Sequence, residues 1–382
     1  MNAPVQYVDV HRVLCSGPGD MGGVQALVAS GALRPADIVA VMGKTEGNGC
    51  VNDFTRDFAT ARWCDFLSQY LGCLPSEVGQ RVALVMSGGT EGVLSPHFTV
   101  FSRRWVAAEL HHAGKRLVVG VAHTRDFLPE EIGRSAQIEF TAAAVAAAMQ
   151  DAGITHVADV HFVQIKCPLL TSTKVDAALQ RGAAPVTHDS YASMAYSRGA
   201  SALGVALALG EIAAPVDTAA LLSDWSLYSA RASASAGIEL EANVVIVLGE
   251  AEGAASPYRI AHTVMRDAVD AASVRRMLHA ALGWDGNGDG DGALPGLVNL
   301  LAKAEASPDG RVRGLRHTML NDSDIHATRH ARAAVGAVLA SVVGDTALYV
   351  SGGAEHQGPA GGGPVAAIVR AGLQGHAELP AL

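Results

Sequence analysis

Aromatic residues make up only 5% of the sequence, which argues against a core built on large flat side chains and favours small helices packed tightly on sheets. Charged residues are also scarce, at 17% against 49% hydrophobic. A chain that apolar can bury a large core and does not have the composition of a disordered one. No basic stripe interleaved with aromatics is present and the net charge is −9, so a nucleic-acid partner is not expected. No apolar run reaches the roughly 18 residues of a membrane span. The start, MNAPVQYVDVHR, has no basic n-region and no apolar h-region, so no signal peptide is expected. The cysteines (Cys15, Cys50, Cys64, Cys73 and Cys167) are odd in number and include no CxxC pair. Reduced thiols in a cytoplasmic protein fit that usage. GxSxG elbows and Walker loops are missing, which removes the common serine-nucleophile and P-loop signatures.

What the chain has is repetition. Ser87-Gly88-Gly89-Thr90-Glu91 follows an apolar run, and so does Ser351-Gly352-Gly353-Ala354-Glu355. Ser235-Ala236-Gly237-Ile238-Glu239 is a third copy, and all read S-[GA]-G-x-E. A lysine precedes each serine at the end of its own apolar run: Lys44, Lys166 and Lys303. An arginine stands between each pair at the start of a helical pattern: Arg56, Arg198 and Arg332. "VVGVAHTRDF" and "RIAHTVMRDAV" further resemble one another as first strands. The chain therefore divides into units at 1–104, 114–250 and 256–382, with seams near 103–114 and 251–257. Each unit reads as strand, helix, lysine strand, helix, serine strand, an α/β pattern.

One Ser, one Lys and one Arg per unit point to a common centre. A serine hydroxyl is a weak nucleophile until a base takes its proton, and a lysine can do so when burial or nearby cations lower its pKa. Glycines after the serine let backbone N–H groups approach a carbonyl oxygen. Arginines add planar donor forks. Such a centre suits a small, flat, carbonyl-rich molecule.

Over essentially its whole length the sequence resembles the cyanuric acid hydrolase/barbiturase family of ring-opening amidohydrolases. The resemblance rests on "GKTEGNGCVNDFTR", "VMSGGTEG", "SASAGIELEANVV" and, most specifically, "YVSGGAEHQGPAGGGP". It implies three similar α/β units around a pseudo-threefold axis, with a central barrel-like sheet arrangement, outer helices and assembly as a homotetramer. It implies Ser235 as nucleophile and Lys166 as its general base. Arg56, Ser87, Gly88, Arg198, Ser235, Ala236, Arg332, Ser351 and Gly352 would bind substrate, and Lys44 and Lys303 would complete two accessory dyads. It implies a structural Mg²⁺ or Ca²⁺ held by Glu305, Ala354, Gln357, Gly358, Pro359 and Gly362; oxygen donors suit those ions. Cyanuric acid is the expected substrate and barbituric acid the alternative. A non-catalytic small-molecule binding protein on the same scaffold is the alternative from another class.

Plainer readings compete with these. Each lysine alone could be a surface residue at a strand end, but three at matching places argue otherwise. Ser87 and Ser351 could cap helices that follow. Arginines at helix starts sit badly with the helix dipole, which favours a ligand role. Ser233, two residues before Ser235 and so on the same strand face, is the rival nucleophile. The middle unit has Ala236 and Pro168 where the others have Gly and Glu, as expected of one copy specialised for chemistry. "WDGNGDGDGALPG" matches the first half of an EF-hand, but its twelfth position is Gly296, where a bidentate Glu is required; it reads as a polar loop. His111-His112 and His326/His330 lack a third metal partner, and Cys167 reads as a packed thiol.

Overall fold

A computed structural model describes residues 4–110, 112, 114–284 and 293–372. The first unit contains β1 (Val5–Leu14), α1 (Gly22–Ala29), β2 (Ile38–Thr45), α2 (Phe54–Leu71), β3 (Ala83–Gly88) and β4 (His97–Val106). The second contains β5 (Lys115–His123), α3 (Ser135–Ala152), β6 (Val160–Pro168), α4 (Ser172–Gln180), α5 (Ser190–Ala208), β7 (Ala232–Gly237) and β8 (Val244–Glu252). The third contains β9 (Tyr258–Met265), α6 (Ala271–Leu282), β10 (Leu297–Ala304), the short pair β11 (Arg311–Val312) and β12 (Leu315–Arg316), α7 (Ala327–Val343), β13 (Tyr349–Gly352) and β14 (Gly363–Arg370).

Each unit contributes a four-stranded sheet of identical order, first–fourth–second–third: β1-β4-β2-β3, β5-β8-β6-β7 and β9-β14-β10-β13. The second and third strands run parallel in every sheet, because a helical crossover joins them. The fourth strand pairs antiparallel with both the first and the second.

Period-two alternation gives each sheet two apolar faces. In β2, Val41 faces a core shared with α1 and α2, whereas its neighbours Ala40 and Met42 face the opposite way. The second sheet packs likewise on α3 and α5, and the third on α6 and α7. The inner faces meet in one core, where Met42 and Val85 join Phe162 and Ile246 of the second unit and Leu301 and Ile368 of the third. Among the described residues no helix is long and apolar enough to cross a membrane.

Three expectations need correction. Each unit has a fourth strand, and β4 extends to Val106, inside the expected seam; β4, β8 and β14 are apolar runs whose place between two other strands no local pattern signals. The arginines do not all open helices: α5 starts at Ser190 behind an Asp189 N-cap and α7 at Ala327 behind a His326 N-cap. Arg198 and Arg332 therefore lie inside their helices, and the dipole argument applies to Arg56 alone. Ser87 and Ser351 cap nothing, because turns follow them rather than helices. The three four-stranded sheets are not hydrogen-bonded to one another.

Candidate active site

Parallel register brings each lysine to its serine. Lys44 stands opposite Ser87 on β2 and β3, Lys166 opposite Ser235 on β6 and β7, and Lys303 opposite Ser351 on β10 and β13. Neighbouring strands lie about 4.8 Å apart, so each dyad follows from pairing alone. All three lysines are buried, with at most 1% of their surface exposed. Ser87, Gly88, Ser235, Ala236, Ser351, Gly352, Arg56, Arg198 and Arg332 line one small cavity, together with Gly49 and Met194. The whole expected substrate-binding set thus converges on one point.

The three dyads are not equivalent. Lys44 Nζ donates to Ser87 Oγ at 3.2 Å, and Lys303 Nζ to Ser351 Oγ at 3.3 Å. Ser87 and Ser351 are joined to each other, hydroxyl to hydroxyl, at 3.2 Å. Ser235 Oγ is buried and has no hydrogen-bond partner. Lys166 Nζ donates instead to the Met86 carbonyl at 2.8 Å and lies 3.4 Å from Glu239 Oε1. The Met86 contact reaches from the second unit into the first. Lys303 reaches likewise from the third into the second, donating to the Ala234 carbonyl at 2.8 Å.

The arginines are sorted the same way. Arg332 forms a bidentate pair with Glu91 at 2.6 and 2.7 Å, and Arg198 with Glu355 at 2.5 and 2.7 Å. Arg56 instead donates to the carbonyls of Ala236 and Cys50, at 3.1 and 2.7 Å. Its Nε is buried without a hydrogen bond and lies 4.0 Å from Asp53 Oδ2. Two cavity-lining side chains therefore carry an unsatisfied buried polar atom, Ser235 and Arg56. Such atoms are rare in native proteins and call for a ligand.

Burial is the main force on the lysines, because a charge is costly away from water. It holds Lys44 well below its usual value, with Arg332 adding to the effect. It lowers Lys303 to about 7, helped by Arg198. It lowers Lys166 to about 8; Glu239 opposes the shift and Arg56 adds to it. A lysine so placed is partly neutral near pH 7–8 and can accept a proton.

The rival serine is accounted for differently. Ser233 Oγ donates to Gln164 Oε1 at 2.8 Å, and Ser233 is outside the cavity lining. Cys167 is buried, free, and donates its thiol to the Ser235 carbonyl at 3.5 Å. A wider cavity lies beyond Arg198, lined by Tyr191, Trp225, Met319 and His326 among others, and holds none of the serines or lysines.

The expected metal residues gather around the turn after β13. Glu305 accepts from the Ala354 N–H at 2.7 Å and the Ala306 N–H at 3.0 Å. Burial and the adjacent Glu355 carboxylate push Glu305 up to about 7. Two crowded carboxylates beside a carbonyl-rich turn are a donor set that fits a hard divalent cation. Gln357 Oε1 accepts from the Ala234 N–H at 2.6 Å, so its side-chain oxygen is committed to bracing β7. The Gly358 N–H donates to the Ser229 carbonyl, a second tie from this turn to the serine strand, and Gly362 N–H closes the turn on the Pro359 carbonyl. Among the described residues no cluster of three His, Cys, Asp or Glu side chains is placed to hold a metal. His326 caps α7 and His330 pairs with Asp322 at 3.1 Å. Asp285, Asn287, Asp289 and Gly290 of the EF-hand-like stretch, and His111, lie outside the described residues.

Sequence reasoning assigned no role to Glu91, Glu239 and Glu355. Their signal was the glutamate closing every S-[GA]-G-x-E motif. Gly49 and Met194 carried no signal, because their place in the cavity depends on the packing of one unit against the next.

The family described as amidohydrolase ring-opening protein matches residues 9–370. A cyanuric acid amidohydrolase of Pseudomonas sp. (strain ADP) is 62% identical over 367 residues, 96% of this chain and 99% of the relative. One from Bradyrhizobium diazoefficiens is 61% identical over 366 residues, 95% and 98% of the two chains. A solved cyanuric acid hydrolase structure superposes with a TM-score of 0.92 at 61% identity, covering 96% of this chain and 100% of the other.

Proposed function

The chain belongs to the ring-opening amidohydrolase family, and from that premise we propose that it is a cyanuric acid hydrolase. It opens cyanuric acid to carboxybiuret, which loses CO₂ to give biuret. The observation that carries the assignment is the cavity itself: one serine, one arginine and one strand-end turn from each unit face a single point. A ring with three equivalent carbonyls presents the same edge to each unit.

Lys166 takes the Ser235 proton, and Ser235 Oγ attacks one ring carbonyl. It is the serine hydroxyl left free of protein partners. The guanidinium groups hold the other carbonyls and the developing oxyanion. The ring C–N bond breaks and Lys166 returns the proton to nitrogen. Water then hydrolyses the acyl-enzyme. Ser87 and Ser351, bonded to their lysines and to each other, bind rather than attack.

A structural Mg²⁺ or Ca²⁺ at Glu305, with carbonyl donors from Ala354, Gln357, Gly358, Pro359 and Gly362, would brace the turn that holds β7. Three units bounded at about 1–104, 114–250 and 256–382, closed barrel-like about a pseudo-threefold axis, four such chains per assembly and a cytoplasmic location complete the reading. Free cysteines support the last point.

The test is product chromatography of purified protein given cyanuric acid and barbituric acid separately. Biuret from cyanuric acid, with barbituric acid left intact, is the expected result. Ureidomalonate from barbituric acid alone would make the chain a barbiturase. Tight binding without turnover of either ring would make it a binding protein.

A further inference from the structure

The middle unit breaks the rule that the other two obey. In the first and third units, the glutamate of S-[GA]-G-x-E pairs with an arginine from a neighbouring unit: Glu91 with Arg332, and Glu355 with Arg198. By the same rule Glu239 would pair with Arg56. It faces Lys166 instead, at 3.4 Å, with its side chain 18% exposed.

The backbone supports the difference. Gly89 and Gly353 take left-handed φ values of 106° and 75°. A Cβ on either would lie 2.5 or 2.6 Å from the guanidinium of Arg332 or Arg198, so these glycines make room for an arginine. Gly237, the third residue of the middle motif, continues strand β7. A Cβ there would lie 2.4 Å from Glu239 Oε2, so this glycine makes room for a carboxylate. Glu239 is outside the cavity lining and reaches the chemistry through Lys166.

Resting on the reading of Lys166 as the base, we propose that Glu239 is the positioning residue of the catalytic dyad, a carboxylate that holds the Lys166 ammonium formed when Ser235 gives up its proton. The proton moves from Ser235 Oγ to Lys166 Nζ and from there to the departing ring nitrogen; Glu239 takes none. The role matches that of the aspartate in a Ser-His-Asp triad, which orients the base and stabilises its cation. In the other two motifs the glutamate raises its lysine only as a more distant charge, because Glu91 and Glu355 are paired with arginines. The charged and titratable groups acting on Lys166 are Glu239, Arg56 and Cys167, and burial keeps the Cys167 thiol protonated. Glu239 is therefore the anion facing it.

Glu239→Gln keeps the shape and removes the charge. Without that charge the lysine pKa falls, so the acid limb of the kcat/KM profile moves down by about one pH unit. The plateau kcat falls roughly 10- to 100-fold, because the ammonium formed in the transition state loses its partner. KM stays within about twofold, since uniform substrate binding is untouched. Gly237→Ala, which displaces the carboxylate without removing it, moves the limb the same way. An unmoved limb in both variants would overturn the proposal.

A second readout is independent of turnover. The chain has five lysines, so ¹³Cε-lysine NMR resolves them, with Lys166→Met assigning the signal. The Lys166 midpoint, near 8 in the wild type, drops in Glu239→Gln if Glu239 is its partner; an unchanged midpoint sinks the idea. Turnover surviving in Lys166→Met would refute the base assignment instead, and the NMR midpoint would still decide the contact.

Discussion

At the scale of single residues, the site works by leaving one hydroxyl alone. The Ser87 hydroxyl is tied to Lys44 and to Ser351, whereas the Ser235 hydroxyl has no hydrogen-bond partner. This difference has a stability consequence. Ser87→Ala removes two buried hydrogen bonds and leaves Lys44 short of a partner, so it lowers unfolding free energy by about 1–3 kcal/mol. Ser235→Ala removes a buried, unsatisfied hydroxyl and leaves stability unchanged or slightly raised. Denaturant titration of the two variants side by side checks this; equal destabilisation would mean that Ser235 is bonded in the resting enzyme.

At the scale of elements, the strand-end turn is the working part, and the glycine at its third position decides what it holds. Gly89 sits at a φ of 106° with Arg332 filling the space a side chain would need. Gly89→Ala is both strained and in collision with the guanidinium, at a cost of about 1–3 kcal/mol. Because Arg332 is displaced from the cavity, KM is expected to rise roughly tenfold with a smaller change in kcat; a fall in kcat alone would contradict the clamp role. Much of this was legible in the sequence. Apolar runs ending in S-[GA]-G-x-E marked the serine strands, and the lysines marked their neighbours. The fourth strands were not legible, because β4 and β8 read as apolar runs next to the seams and only tertiary pairing places them mid-sheet. The starts of α5 and α7 were missed because Asp189 and His326, well upstream of Arg198 and Arg332, are ordinary polar residues until their caps are seen. The partners of Glu91 and Glu355 depend on how one unit packs on the next, which local sequence does not encode.

At the scale of the whole molecule, three sheets share one core and pass contacts from unit to unit. One such contact is sensitive to acid. His161 on β6 and His262 on β9 meet Nδ1 to Nδ1 at 2.9 Å, across the second and third units, which requires one ring to donate and the other to accept. Burial lowers both to about 4, with Arg231 adding to it at His161 and His161 itself at His262. The unfolded chain binds protons on these rings below about pH 6.5 that the folded protein refuses. Stability is therefore full above that pH and falls as pH drops from 6.5 towards 4, by up to a few kcal/mol at about 1.4 kcal/mol per pKa unit. Thermal melts at pH 7 and pH 5 should differ less for His161→Gln/His262→Gln than for the wild type. An equal pH dependence would remove this pair from the account.

The central claim is that three matching dyads do unequal work, with Ser235 attacking while Ser87 and Ser351 hold the ring. Steady-state kinetics of cyanuric acid turnover for Ser235→Ala, Ser87→Ala and Ser351→Ala, measured together by biuret formation, tests it most directly. The account predicts that Ser235→Ala loses kcat by at least about 10³-fold, while the other two act mainly on KM. Turnover retained in Ser235→Ala, with kcat lost instead in Ser87→Ala or Ser351→Ala, would contradict it.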